Sequence, residues 1–272
     1  LPLALLFNRF MAKKKKRKGS YKWIFISLLF LVIFYLVLYF GLNNSKFRRF
    51  KRAIGHHPVS MTQAAATDFT VHGIDVSRYQ KYIDWYQVKQ TKINGYPINF
   101  AFAKATEGYS LRDPMFDRNS RHARQNRLAF GAYHFFNPRL DAEKQAKFFI
   151  QNYSAQAGDL PPVVDIEKHG GQSKLQIREK LEVFLDILED HYGVRPIIYT
   201  YLNFYRDYLY PNFEGYQFWI AHYYKKKLVT PDKLNWIFWQ YSDRGHIGGI
   251  TGDVDLNVFK GSIEELKNLR RK

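Results

Sequence analysis

Cysteine is absent from the 272 residues, and with it go disulfides, thiolate metal sites, cysteine nucleophiles and lipoprotein anchoring. Acidic residues are missing from the first 67 positions, which nevertheless hold 13 of the 42 Lys and Arg. The other 205 residues carry 29 basic and 24 acidic groups, so most of the +18 net charge belongs to a tail and the rest is only mildly basic. That division argues against a nucleic-acid partner. Apolar residues at 46% and charged residues at 24% exclude a disordered or collagen-like chain and allow a large core.

The one long uncharged run is WIFISLLFLVIFYLVLYFGL, Trp23 to Leu42. As a helix, 20 residues span about 30 Å, the thickness of a bilayer's hydrocarbon core. Trp23 and Tyr39 sit near its ends, where amphipathic rings prefer the headgroup level. A cleaved signal peptide has a shorter apolar run and a small-x-small cleavage site, and neither is evident. From Met11 on, seven basic residues precede the span (Lys13, Lys14, Lys15, Lys16, Arg17, Lys18, Lys22) and five follow it. The expectation is a basic cytoplasmic tail over 1–22, a single transmembrane anchor over 23–42 and a tether over 43–67, with the remainder outside the cytoplasmic membrane. Met11 opens MAKKKKRKGS, which reads as a cytoplasmic start after an upstream LPLALLFNRF.

From residue 68 onward the pattern alternates. Strand-like runs at Phe69–Val76, Asn99–Ala103, Ala129–Phe135, Pro162–Ile166 and Pro196–Thr200 are separated by helical patterns near 83–90, 117–126, 141–153, 173–192 and 202–210. The fourth helix is the clearest, with a capping box at Ser173 and Gln176 and one apolar stripe through Ile177, Leu181, Phe184, Leu185 and Leu188. Three further strands follow, Phe218–Ala221, Trp236–Tyr241 and Val254–Val258, joined by Lys-, Pro-, Gly- and Asp-rich segments in which no amphipathic helix fits. Five βα units and then three strands predict an irregular (β/α)5(β)3 TIM-like α/β barrel over 68–272.

In such a barrel the chemistry sits at the C-terminal strand ends. Those ends carry Asp75, Glu107, Asp165 with Glu167, and Asp255, while His134, Tyr199 and Gln240 fall near others. A single Asp at a strand end is usually a cap or turn residue, but several acids on one rim raise an electrostatic cost that calls for a reason. In VVDIE, Asp165 and Glu167 are two residues apart on a strand and therefore face one cleft. Two close carboxylates do not ionise independently, and an acid kept protonated beside an ionised one suits glycosidic cleavage. Two-metal phosphoester cleavage could use the same acids. Against it stand the aromatics Tyr133, Tyr199, Trp219, Trp239 and Tyr241 near the strand ends, which could stack on sugar faces or simply pack a core. No HExxH, GxSxG, P-loop or post-strand GxGxxG is present.

The segments HGIDVSRYQ, FAFAKATEG, FGAYHFF, PVVDIE, PIIYT, FWIAHY and WIFWQYSDRGHIGGITGDVDLN, in this order from His72 to Asn257, resemble glycoside hydrolase family 25, lysozymes that cut the muramic acid to glucosamine bond of peptidoglycan. The resemblance implies Glu167 as general acid/base, Asp165 as the carboxylate that holds the substrate 2-acetamido group, and Asp75 and Asp255 as further catalytic acids. It implies retention through the acetamido oxygen, no metal or cofactor, and Tyr133, Tyr199, Trp219, Gln240 and Glu107 along the groove. The expected partner is the peptidoglycan glycan strand, met by a monomer held at the membrane. A non-catalytic wall-binding relic, and a hydrolase of another N-acetylated glycan such as chitin, stay open at this point.

Overall fold

Alternation with period two puts Val71, Gly73 and Asp75 on one face of the first strand and Ile74 and Val76 on the other. The same alternation, repeated around a ring of strands, builds the domain. The computed structural model describes residues 66–270; the 1–22 tail, the 23–42 span and nearly all of the 43–67 tether lie outside them. Among the described residues no helix is long and apolar enough to cross a membrane.

The barrel strands are β1 (Val71–Val76), β3 (Tyr96–Glu107), β5 (Ala129–Phe135), β6 (Val163–Asp165), β7 (Ile197–Tyr201), β8 (Gln217–Ala221), β9 (Trp236–Gly245) and β10 (Val254–Phe259). Short β2 (Lys92–Ile93) and β4 (Leu111–Arg112) pair with the two ends of β3. They draw β3 out well beyond the expected Asn99–Ala103. Pairing of β1 with both β3 and β10 closes the ring. Neighbours are parallel from β1 through β9, whereas β10 runs antiparallel to β9 and β1. The segment joining β9 to β10 spans only 246–253, too short for a parallel crossover, which needs a dozen or more residues.

Helices α1 (Trp85–Gln90), α2 (Phe116–Gln125), α3 (Ala142–Asn152) and α4 (Lys174–Tyr192) occupy the first four crossovers. In α4 the Ser173–Gln176 capping box forms in both directions, and Gly193 at φ 66° ends the helix. The fifth crossover differs from the expected helix over 202–210: it holds a three-residue α5 (Leu202–Phe204) continued by a π-turn, Tyr205–Leu209. A short α6 (Ile263–Asn268) follows β10.

Inside the ring, Phe100, Phe102, Trp219 and Phe238 form a plug of rings with centroids 4.6–6.4 Å apart. Glycines on the adjacent strands make room for it. A Cβ at Gly131 would fall 2.2 Å from the Phe102 ring, and one at Gly73 would fall 2.3 Å from that of Phe100. Gly131→Ala is therefore expected to destabilise the domain by about 1–3 kcal/mol through overpacking. A urea unfolding curve with the wild-type midpoint would contradict this placement. The plug is the floor on which the polar residues of the rim stand.

Candidate active site

Above the aromatic floor, the inward positions of β1, β9 and β10 bring Asp75, Gln240 and Asn257 together. Asp75 Oδ2 accepts from Gln240 Nε2 and from Asn257 Nδ2, each at 2.7 Å. Both donors are themselves fixed. Asn257 Oδ1 accepts from the Trp219 indole at 2.8 Å, and Gln240 Oε1 accepts from the hydroxyls of Tyr199 (2.7 Å) and Tyr223 (2.6 Å). Every amide orientation is thus set by a donor-only or hydroxyl partner, which leaves the Asp75 carboxylate rigidly aimed.

Asp75 and Asp255 are directly opposed in the β1–β10 register, and their carboxyls share a hydrogen bond. Because β10 is reversed, Asp255 reaches the catalytic rim from the start of its strand, not from the end. Burial pushes Asp75 up to about 6, held back by the donors Asn257 and Gln240 and by the bond from Asp255. Burial pushes Asp255 well above the usual carboxylate range, and the charge of Asp75 adds to it. Asp255 accordingly keeps the proton and donates it to Asp75. This cross-strand carboxyl pair was not expected from the sequence, and it stands beside the Asp165–Glu167 pair of the DIE segment.

Asp165 and Glu167 do face the same cleft and sense each other electrostatically. Burial lifts Asp165 well above the usual range, the neighbouring Glu167 charge adds to the rise, and Lys104 opposes it. Burial also raises Glu167, opposed by the neighbouring Tyr199 hydroxyl and by the charge of Lys168. Asp165 Oδ1 is buried and has no hydrogen-bond partner. Such an acceptor is costly unless something fills it. Among the described residues no group of three or more His, Asp and Glu is placed to hold a metal ion.

A polar rim of buried acids over an aromatic barrel core narrows the choice, and comparison with known proteins decides it. The family model described as Glycosyl hydrolases family 25 matches residues 74–250. The chain belongs to this family. Similar proteins extend along most of it: Lysozyme M1 of Streptomyces globisporus is 33% identical over 233 residues, covering 80% of this chain and 77% of that protein. An Escherichia coli K12 protein called Uncharacterized protein YegX is 44% identical over 214 residues, 78% of each chain. Among solved structures, the bacterial lysozyme of Streptomyces coelicolor superposes with a TM-score of 0.67 at 34% identity, covering 73% of this chain and 96% of that one. A family 25 glycosyl hydrolase of Bacillus anthracis gives 0.68 at 33%, covering 74% and 94%.

Within this family 25 barrel, several residues expected along the groove lie elsewhere. Trp219 is 1% exposed and belongs to the floor, with its indole spent on Asn257. Trp239 and Tyr241, for which sugar stacking and core packing were both open, belong to the core layer beneath the helices. Gln240, 2% exposed, and Tyr199 brace the acids and offer sugar no face. His134 also points outward, stacked on Phe184 at 4.9 Å and bonded to Thr106; burial pushes it down to about 3, so it stays neutral. Tyr133 does stand among the acids, half-buried near Asp75, Asp165 and Asp255. Glu107, 38% exposed, pairs with Lys104 at 2.5 Å.

Three half-buried rings at the rim were not among the expected residues: Phe135, Tyr201 and Tyr223. Each lies two or four residues beyond an inward-facing aromatic (Tyr133, Tyr199, Trp219), so strand periodicity carried to the rim would have found them. Tyr201 and Tyr223 meet edge to face at 5.9 Å across the β7–β8 side. Lys104, four residues into the KATEG-bearing strand from Phe100, was missed because a lysine inside a barrel looks improbable until Glu107 is seen beside it.

Proposed function

We propose that the protein is a membrane-tethered muramidase that hydrolyses the β-1,4 bond between N-acetylmuramic acid and N-acetylglucosamine of peptidoglycan, retaining the anomeric configuration. Glycoside hydrolysis comes with the family, and the lysozyme relatives supply the substrate class. The observation that carries the residue assignment is the unpartnered Asp165 Oδ1 beside Glu167. An acetamido N–H is a neutral donor of the right kind to fill that acceptor.

The proton moves as follows. Without substrate, burial and the Glu167 charge raise Asp165, which favours its protonated form. Donation from the acetamido N–H favours the ionised form of Asp165 and so leaves the proton with Glu167. Glu167 passes it to the glycosidic oxygen while the acetamido oxygen, oriented by the grip of Asp165 on the N–H, attacks C1, breaks the C1–O bond to the leaving sugar and closes an oxazolinium ring. Glu167, now ionised, takes a proton from water, which opens that ring and restores the starting state. This is one of the substrate-assisted exceptions to two-carboxylate catalysis. The Asp75–Asp255 pair adds a fixed negative charge to the floor as positive charge develops at the sugar.

Proton NMR of a digest taken within the first turnovers is expected to show β-anomeric reducing ends; α-anomers would refute acetamido participation. The tether rests on the 23–42 run and its basic flanks. Full-length protein is expected in the membrane fraction and released by detergent only. A chain lacking residues 11–42 is expected to be soluble and still active on purified wall. Recovery of the full-length chain in the soluble fraction would contradict the tether.

A further inference from the structure

We propose that Phe135, Lys104 and Lys168 form a carboxylate-reading subsite beside the catalytic pair, which takes the acidic substituent carried on O3 of the muramic residue. The inference rests on the muramidase reading and names what that site selects. Glu107, Phe135 and Asp165 are side by side on β3, β5 and β6, each the register partner of the next. Lys104 Nζ lies 4.7 Å from the centroid of the half-buried Phe135 ring, and Lys168 Nζ lies 5.4 Å from it. Two ammonium groups on one ring, at the edge of a cleft lined with acids, is an arrangement that neither core packing nor solubility requires.

The two lysines are not equivalent. Lys104 is mostly buried and already paired with Glu107. Lys168 is exposed, follows Glu167 directly, and makes no ion pair with a carboxylate among the described residues. It is oriented by the ring but not neutralised, which is the state of a cation that awaits an anion. Sugar geometry supplies the anion. C2 and C3 are adjacent, so a ring whose acetamido group reaches Asp165 presents its O3 substituent to the neighbouring rim position. On muramic acid that substituent is a lactyl ether, whose methyl fits against Phe135 and whose carboxylate fits between the ammonium groups. In strands that bear stem peptides the lactyl carboxyl is an amide, and the carboxylates are those of the peptide. Glucosamine has neither, so this subsite separates peptidoglycan from chitin.

The test compares wild type, Lys168→Gln and Lys168→Arg on three glycans at low ionic strength: stem-bearing strands, stem-free strands with free lactyl carboxylates, and stem-free strands converted to methylamides. Lys104 is left intact because its charge acts on both catalytic acids; Lys168 acts on Glu167 alone, and comparing glycans within one variant cancels that effect. Wild type is expected to favour an acidic glycan over the methylamide by about three- to tenfold in kcat/KM, carried by KM, as for a partly exposed ion pair. Lys168→Gln is expected to lose that preference and Lys168→Arg to keep it. Loss on the stem-free strands assigns the carboxylate to the lactyl group, and loss on the stem-bearing strands alone assigns it to the peptide. An unchanged preference in Lys168→Gln, or none in wild type, overturns the subsite. Failure of wild type to cleave any of the three is a separate result that removes the muramidase reading itself.

Discussion

Glu167→Gln is expected to lower turnover on peptidoglycan by at least about 10²–10⁴-fold, the usual share of a general acid/base. The amide keeps the size of the side chain, so the barrel and KM should change little. What it cannot do is give a proton to the leaving oxygen and take one from water. A variant with near-normal turnover would remove Glu167 from its role. The pH dependence carries the same information. Burial raises Glu167, so the acid keeps its proton to a higher pH than an exposed glutamate. The alkaline limb of kcat/KM should fall as pH rises through that raised value, and Glu167→Gln should abolish it.

Asp165→Asn is expected to separate activity from stability. Turnover should fall by about 10²–10³-fold, since the amide carries no charge to stabilise the oxazolinium. Stability should rise. Asp165 is buried, one of its oxygens has no hydrogen-bond partner, and its folded-state pKa is pushed well above the ordinary value. A group raised in this way contributes fully below its unfolded pKa, and the contribution is lost as pH climbs toward the folded value. The wild type therefore bears the strain of a buried charge mainly at neutral and alkaline pH. The neutral amide removes that strain, so the gain, about 0.5–2 kcal/mol by analogy with other relieved active sites, should appear at pH 8 and vanish near pH 3. Thermal melts at the two pH values check it. An equal change at both would show that packing, not charge, is responsible.

The architecture was largely legible because its signals are local. The capping box of α4, the Gly193 stop and the period-two strands depend on neighbours in sequence, and five βα units followed by three strands emerged from them. What stayed hidden depends on pairing across the barrel. Sequence places Asp255 on a rim, but only the antiparallel reversal of β10 sets it against Asp75. Aromatic residues look alike in a string; Trp219 fills the floor and Trp239 the outer layer because one strand position turns inward and the other outward. Gln240 was legible as a rim residue and Asn257 was not, and the function of both as braces of Asp75 needs three strands in contact. Lys104 and Phe135 escaped notice for the same reason: each acquires meaning only beside Glu107 and Asp165.

The central claim is that the cleft over Asp165 and Glu167 holds muramic acid on the side of the bond that becomes the new reducing end. Digestion of purified peptidoglycan, borohydride reduction and acid hydrolysis reveal that sugar directly. The account predicts muramicitol, whereas glucosaminitol would contradict it.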